Sequence, residues 1–131
     1  MVKMVKYIDQ SLKTKPWVKT FAIIDPQDQR AVYSWGRNTG NALYHAECLM
    51  DPSNKWTNKT GAWHIGVFSD DEKSELNMAF ARNVGGYTVL VEADIQDGDF
   101  EMMKKGAKSL AHAAKRALKS SGLYHALYHQ C

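Results

Sequence analysis

The chain is poor in the residues that mark specialised architectures. Its two cysteines, Cys48 and Cys131, cannot build a disulfide framework, and the second is the last residue. A reduced, cytoplasmic setting is the expectation that follows. Three prolines and nine glycines in 131 residues exclude a collagen-like or low-complexity chain. No run of eighteen apolar residues is present, so no membrane span is expected. The N-terminal MVKMVKYIDQ carries lysines but no continuous apolar stretch, which argues against a signal peptide. The Asn58-Lys59-Thr60 sequon is then a chance match. A phosphate-binding loop is missing, because the Gly36-x3-Gly40 stretch has no following Lys-Ser/Thr, and there is no nucleophile elbow. Neither sign of charge dominates: 17 basic against 14 acidic side chains leave a net +3. Such a balance is compatible with a nucleotide or nucleic-acid partner without requiring one.

What is present is ordinary for one globular domain spanning residues 1–131, with 44% hydrophobic and 24% charged residues. Residues 1–16 form a lysine-rich arm whose Val2, Val5 and Ile8 recur at helical spacing. Residues 17–24 read as a strand, Asp25-Pro26-Gln27-Asp28-Gln29 as a turn, and Ala31, Tyr33 and Trp35 as the alternating face of a second strand. A helix is expected from about Asn41 to Pro52, then a polar loop over 51–62, then a strand over Trp63–Phe68. Ser69 followed three residues later by Glu72 matches a capping box, which predicts a helix to about Asn83 that buries Leu76, Ala79 and Phe80. Gly85-Gly86 would end it, and Tyr87–Ala93 would follow as a central, doubly covered strand. Phe100, Met103, Ala107, Leu110, Ala111, Ala114 and Leu118 make one apolar stripe of a helix over roughly 99–120. The resulting order, ββαβαβα, predicts an α/β domain with a mixed sheet covered by helices.

The segment from Ala22 to Ala93 carries the most information. A strand ending in Asp25-Pro26, a second strand leading to Gly36-Arg37-Asn38, and a helix with His45-Ala46-Glu47 resemble the cytidine and tRNA-adenosine deaminase superfamily. The resemblance covers 17–93 as a deaminase-like core and implies the metal chemistry of that family. His45 would be the first zinc ligand and Glu47 the proton shuttle between water, ring nitrogen and leaving ammonia. Both would act on a nucleobase, nucleoside or nucleotide held by Arg37, Asn38 and a stacking Trp56. The second half of the motif, P-C-x-x-C, is replaced by Asp70-Asp71-Glu72-Lys73-Ser74. The implied zinc set is therefore incomplete, with Cys48 and Asp71 as substitute donors, since one histidine with one carboxylate does not make a normal zinc site. A second donor set would join His45 and Cys48, three apart on one helix face, to His125, His129 and Cys131, but its spacing is not that of a strong zinc motif.

The helix over 99–121 presents Lys104, Lys105, Lys108, Lys115, Arg116 and Lys119 opposite its apolar stripe. That is a solvated outer face or, in the functional reading, a phosphate-contacting stripe in which Lys104, Lys108, Lys115 and Lys119 would touch nucleic acid. Ser34-Trp35-Gly36-Arg37 and Lys59-Thr60-Gly61-Ala62-Trp63 also resemble fragments of the WGR domain, a DNA-end-contacting module, over about nine residues. Two functions therefore stand at this point. One is a deaminase-like hydrolase with an atypical metal site. The other is a non-catalytic basic module that binds nucleic acid or a protein, and self-association into a homo-oligomer is compatible with both.

Overall fold

A computed structural model describes residues 2–36, 39–54, 57–70, 75–95 and 99–124. Helix α1 spans Val2–Lys13, and strands β1 (Val18–Asp25) and β2 (Arg30–Gly36) form the expected hairpin. Its turn is held by Asp25 Oδ1, which accepts from the backbone N–H groups of Gln27 at 3.0 Å and Asp28 at 3.4 Å. Helix α2 (Thr39–Met50) follows, then β3 (Asn58–Thr60), β4 (Trp63–Asp70), β5 (Glu75–Val84), β6 (Tyr87–Asp94) and helix α3 (Phe100–Ser120).

The six strands make one sheet in the order β2-β1-β6-β5-β4-β3, and every neighbouring pair is antiparallel. This overturns the ββαβαβα order and the mixed sheet. The decisive correction is the segment expected to be a helix over 69–83: its described part is strand, paired to β4 from Asp70↔Glu75 to His64↔Ala81. The cause is visible in its burial. Both faces of the middle of β5 are covered, so Ala79 and Ala81 bury on one side and Phe80 on the other, and apolar residues fall on both parities. The alternation that would announce a strand is thereby erased. Gly85 and Gly86, read above as a helix stop, form the two-residue hairpin turn, with φ of 59° and 91°. Positive φ at both central positions is the conformation that matches the twist of two antiparallel strands, and glycine adopts it freely. The supposed capping box falls partly on the end of β4 and partly outside the described residues.

Helices cover both faces of the sheet. On one face α1 and α3 pack on Phe21, Ile23, Phe80, Val89 and Val91 through Ile8, Met103, Leu110 and Leu118, all fully or almost fully buried. The alanine-rich inner side of α3 lets α1 approach closely, until Ser11 Oγ and Ser109 Oγ lie 3.4 Å apart. On the other face α2 lies alone, over a thinner layer made of Ala22, Ile24, Ala42, Ala46, Leu49, Ala79, Ala81 and Leu90. Gly36 closes β2 at φ 100°, and a Cβ there would fall 1.9 Å from the Lys19 carbonyl oxygen. Among the described residues no helix is long and apolar enough to cross a membrane.

Candidate interaction surface

The unequal cover of the sheet leaves one rim bare. Helices α1 and α3 lie over the middle strands, and β4 and β3 extend beyond them. Val67 of β4 faces Met78 of β5 across the ladder, on the face that also carries Ile65 and Phe80. Two residues before Met78, Leu76 is on that same face, because side chains alternate along a strand. Phe100 in the first turn of α3 closes the end of this strip, its ring 6.0 Å from that of Phe80. Leu76 is 51% exposed, Val67 46% and Phe100 37%. Val67, Met78, Ile65, Phe100 and the polar Asn58 and Thr60 line a hollow of about 480 Å³. These exposed apolar side chains make the strip a candidate interaction surface.

A second hollow of about 540 Å³ opens on the other side of the same edge, between α2 and β4. Its walls include Tyr44, Cys48, Leu49, Asp51 and Phe68, and it shares Gly66 and Val67 with the first. Tyr44 is 64% exposed at its mouth. A hydrogen bond with Cys48 is the main cause that raises the Tyr44 hydroxyl above its ordinary value. Asp51 is held below the usual carboxylate range by the Ser53 backbone N–H, 2.9 Å away, and then by the Ser53 hydroxyl. On β4 itself, burial, helped by Lys59 across the ladder, lowers His64 from its ordinary value.

Among the described residues, those singled out from the sequence do not assemble into a metal centre. His45 sits on the inner face of α2, buried, with Nδ1 2.6 Å from Glu92 Oε1 and its ring stacked on Phe68 at 4.0 Å. Glu47 is exposed on another side of α2, beside a separate hollow with Pro26, Leu43 and Met50. Cys48 lines the hollow beside Tyr44. No group of three or more histidine, cysteine, aspartate or glutamate side chains that could hold a metal occurs among the described residues. The described donors, His45 and Cys48, do not by themselves make the zinc site that the resemblance implies. Arg37, Asn38, Trp56, Asp71, His125, His129 and Cys131 lie outside the described residues. Of the basic stripe, Lys115 and Lys119 lie over the Tyr124 ring at 5.8 and 5.1 Å, and Arg116 over Tyr7 at 4.5 Å. Lys108 is exposed and Lys104 half-buried. Sequence reasoning missed Glu92, which lies within the strand expected over Tyr87–Ala93; only the fold brings His45 to it from 47 positions away.

No protein-family model matches the chain, and no curated protein matches it. Solved structures do. LokiProfilin1 in complex with rabbit actin superposes with a TM-score of 0.54 at 12% identity, over 87% of this chain and 96% of that one. LokiProfilin2 in complex with rabbit actin gives 0.52 at 14% identity, over 87% and 97%. These likenesses overturn the deaminase resemblance and, with it, the hydrolase reading and the nucleotide or nucleic-acid partner drawn from it. The antiparallel sheet with paired terminal helices on one face and a lone helix on the other is the profilin fold.

Proposed function

We propose that residues 1–131 act as one protein-interaction module of profilin fold, and that the bare rim of Val67, Leu76, Met78 and Phe100 docks an actin-family protein in the cytoplasm. The observation that carries this reading is the apolar strip itself, left uncovered by α3 on a fold whose solved neighbours are in complex with rabbit actin. The strip's apolar centre would exclude water, and the polar margin of Asn58 and Thr60 would supply hydrogen bonds at the edge, the usual anatomy of a protein interface.

The direct test is titration of fluorescently labelled monomeric rabbit actin with the purified chain. Saturable binding is expected. Val67→Asp combined with Leu76→Asp should weaken it at least about tenfold, since an unpaired charge would be buried in the contact. Both positions are exposed, so the thermal midpoint should stay close to the parent value. No saturable binding by the parent chain, or equal binding by the double variant, would reject this surface.

A further inference from the structure

We propose that the outer edge of β4, from Gly66 to Asp70, is a site of strand addition, and that its occupant is an extended peptide whose side chains alternate between apolar and basic. The inference goes beyond the actin reading. It rests on the backbone of β4 and on the hollow beside α2, and its test contains no actin.

The ladder decides which way each residue of β4 bonds. In an antiparallel sheet, residues whose N–H and C=O groups bond one neighbouring strand alternate with residues that bond the other. The Gly85-Gly86 turn makes Val84 and Tyr87 a bonded pair, so Arg82, Phe80 and Met78 bond β6, while Ala81, Ala79 and Asn77 bond β4. Their partners on β4 are His64, Gly66 and Phe68. The residues between and beyond these, Ile65, Val67 and Ser69, therefore turn their backbone groups outward. Strand β3 meets Ile65 through Asn58 and pairs no further along β4. Among the described residues no strand lies against Val67 and Ser69 on that side. An open edge is ordinarily guarded by proline, lysine or a bulge. From Gly66 to Ser69 the chain has neither proline nor lysine, and its register with β5 is regular throughout.

Such an edge accepts an extended chain, because only an extended chain offers N–H and C=O groups at the matching spacing. An added strand continues the pleat, so its side chains fall by turns on the two faces of the sheet. Both faces have room. Beside Val67, on the α3 face, lies the 480 Å³ hollow with Ile65, Met78 and Phe100, which suits an apolar side chain. Beside Gly66 and Phe68, on the α2 face, lies the 540 Å³ hollow, floored by Leu49 and the Phe68 ring. Its far wall is held by Asn54, whose Nδ2 donates to the Cys48 carbonyl at 2.7 Å. Among the described lining residues Asp51 is the one that carries charge, and Ser53, first through its backbone N–H, keeps it ionised. A long basic side chain fits there, with its methylenes along Leu49 and Phe68 and its cation toward Asp51. A second copy of this chain is poorly matched, since β4 has no basic residue to offer from Gly66 to Asp70.

The probe is a capped, fluorescein-labelled peptide of about nine residues that alternates leucine and lysine, read by fluorescence anisotropy. Saturable binding is expected, and binding at least about tenfold weaker when glutamate replaces lysine in the peptide. Asp51→Asn keeps an acceptor for the Ser53 N–H and should narrow that preference. Two further peptides carry N-methyl groups, one on every leucine nitrogen and the other on every lysine nitrogen. One set faces β4 and the other faces solvent, so the two affinities should differ at least about tenfold. Ser69→Pro removes an outward N–H that no described strand uses, and proline is tolerated at such an edge position. It should weaken the leucine–lysine peptide by a similar factor. Should that variant fail to fold, the methylated pair decides the matter on the parent chain. No saturable binding, equal affinities of the two methylated peptides, no preference for lysine over glutamate, or full binding by a folded Ser69→Pro chain would overturn the inference. So would a parent dimer in sedimentation that Ser69→Pro dissociates, because the edge would then belong to a second copy.

Discussion

At the scale of single residues, the chain places several polar groups where water is scarce and settles each with a local partner. Tyr33 is the clearest on the α1 side of the sheet. Burial, and then the nearby Asp9 carboxylate, 3.4 Å from the hydroxyl, push the phenol up to about 12 from an ordinary value near 10. A group raised in the folded state contributes stability that is present below the unfolded value and is lost as the pH climbs through the folded one. The stability difference between the parent chain and Tyr33→Phe should therefore shift against the parent between about pH 10 and 12, as read from urea denaturation at each pH. A difference that stays constant across that interval would disprove the assignment. Nothing in the sequence announces this contact, since Asp9 and Tyr33 are 24 positions apart on different elements. The same holds for His45 and Glu92. What was legible at His45 was its place on a helix, while its neighbours led toward a catalytic reading that the fold does not support.

At the scale of elements, legibility tracks how one-sided an element's environment is. Helix α3 has a single buried stripe, so its 3.6-residue period survives in the sequence, and the expected bounds over 99–120 agree closely with Phe100–Ser120. Its start is set by Asp99, whose Oδ1 accepts from the Met102 N–H at 2.7 Å. Asp99→Ala should cost about 1 kcal/mol in chemical denaturation, by leaving orphan donors in the first turn and removing a favourable charge there. The cost should be reduced to a few tenths in Asp99→Gly, which also serves as a helix cap. Strand β5 is the opposite case. Buried on both faces along its middle and ending in Gly85-Gly86, it offers apolar residues at both parities, and the helical template fits it as well as the strand template does. The three-residue β3 was lost for another reason: Asn58-Lys59-Thr60 has no apolar periodicity, and only its ladder with Trp63–Ile65 makes it a strand.

At the scale of the whole molecule, the sheet joins parts of the chain that are far apart in sequence. Strand β1 pairs with β6, so that Val18 lies opposite Ala93 and Ile24 opposite Thr88. The loop between them must close before the central pairing can reward it, and a topology dominated by such contacts folds slowly. Refolding by stopped-flow fluorescence should fall in the millisecond-to-second range expected of sheet-rich domains. Microsecond refolding would mean that local helices, and not the β1–β6 pairing, limit assembly. The same long connection explains why the bare rim forms where it does. Helices α1 and α3 pack on the central strands through their apolar side chains, which leaves the outer part of β4, β3 and the start of β5 uncovered on that face.

The sequence by itself determined the helices with a single buried face, the first hairpin and its turn, the doubly covered character of Tyr87–Ala93, and the lack of an eighteen-residue apolar run. Each of these is written in local period or turn chemistry, which neighbouring residues decide among themselves. Only the tertiary structure decided that 75–84 is a strand, that all six strands run antiparallel, that Val67, Leu76 and Phe100 share one exposed strip, and that His45 meets Glu92. Those outcomes depend on which distant segments come together, and a choice made by packing energy across the whole sheet leaves no local pattern from which to read it.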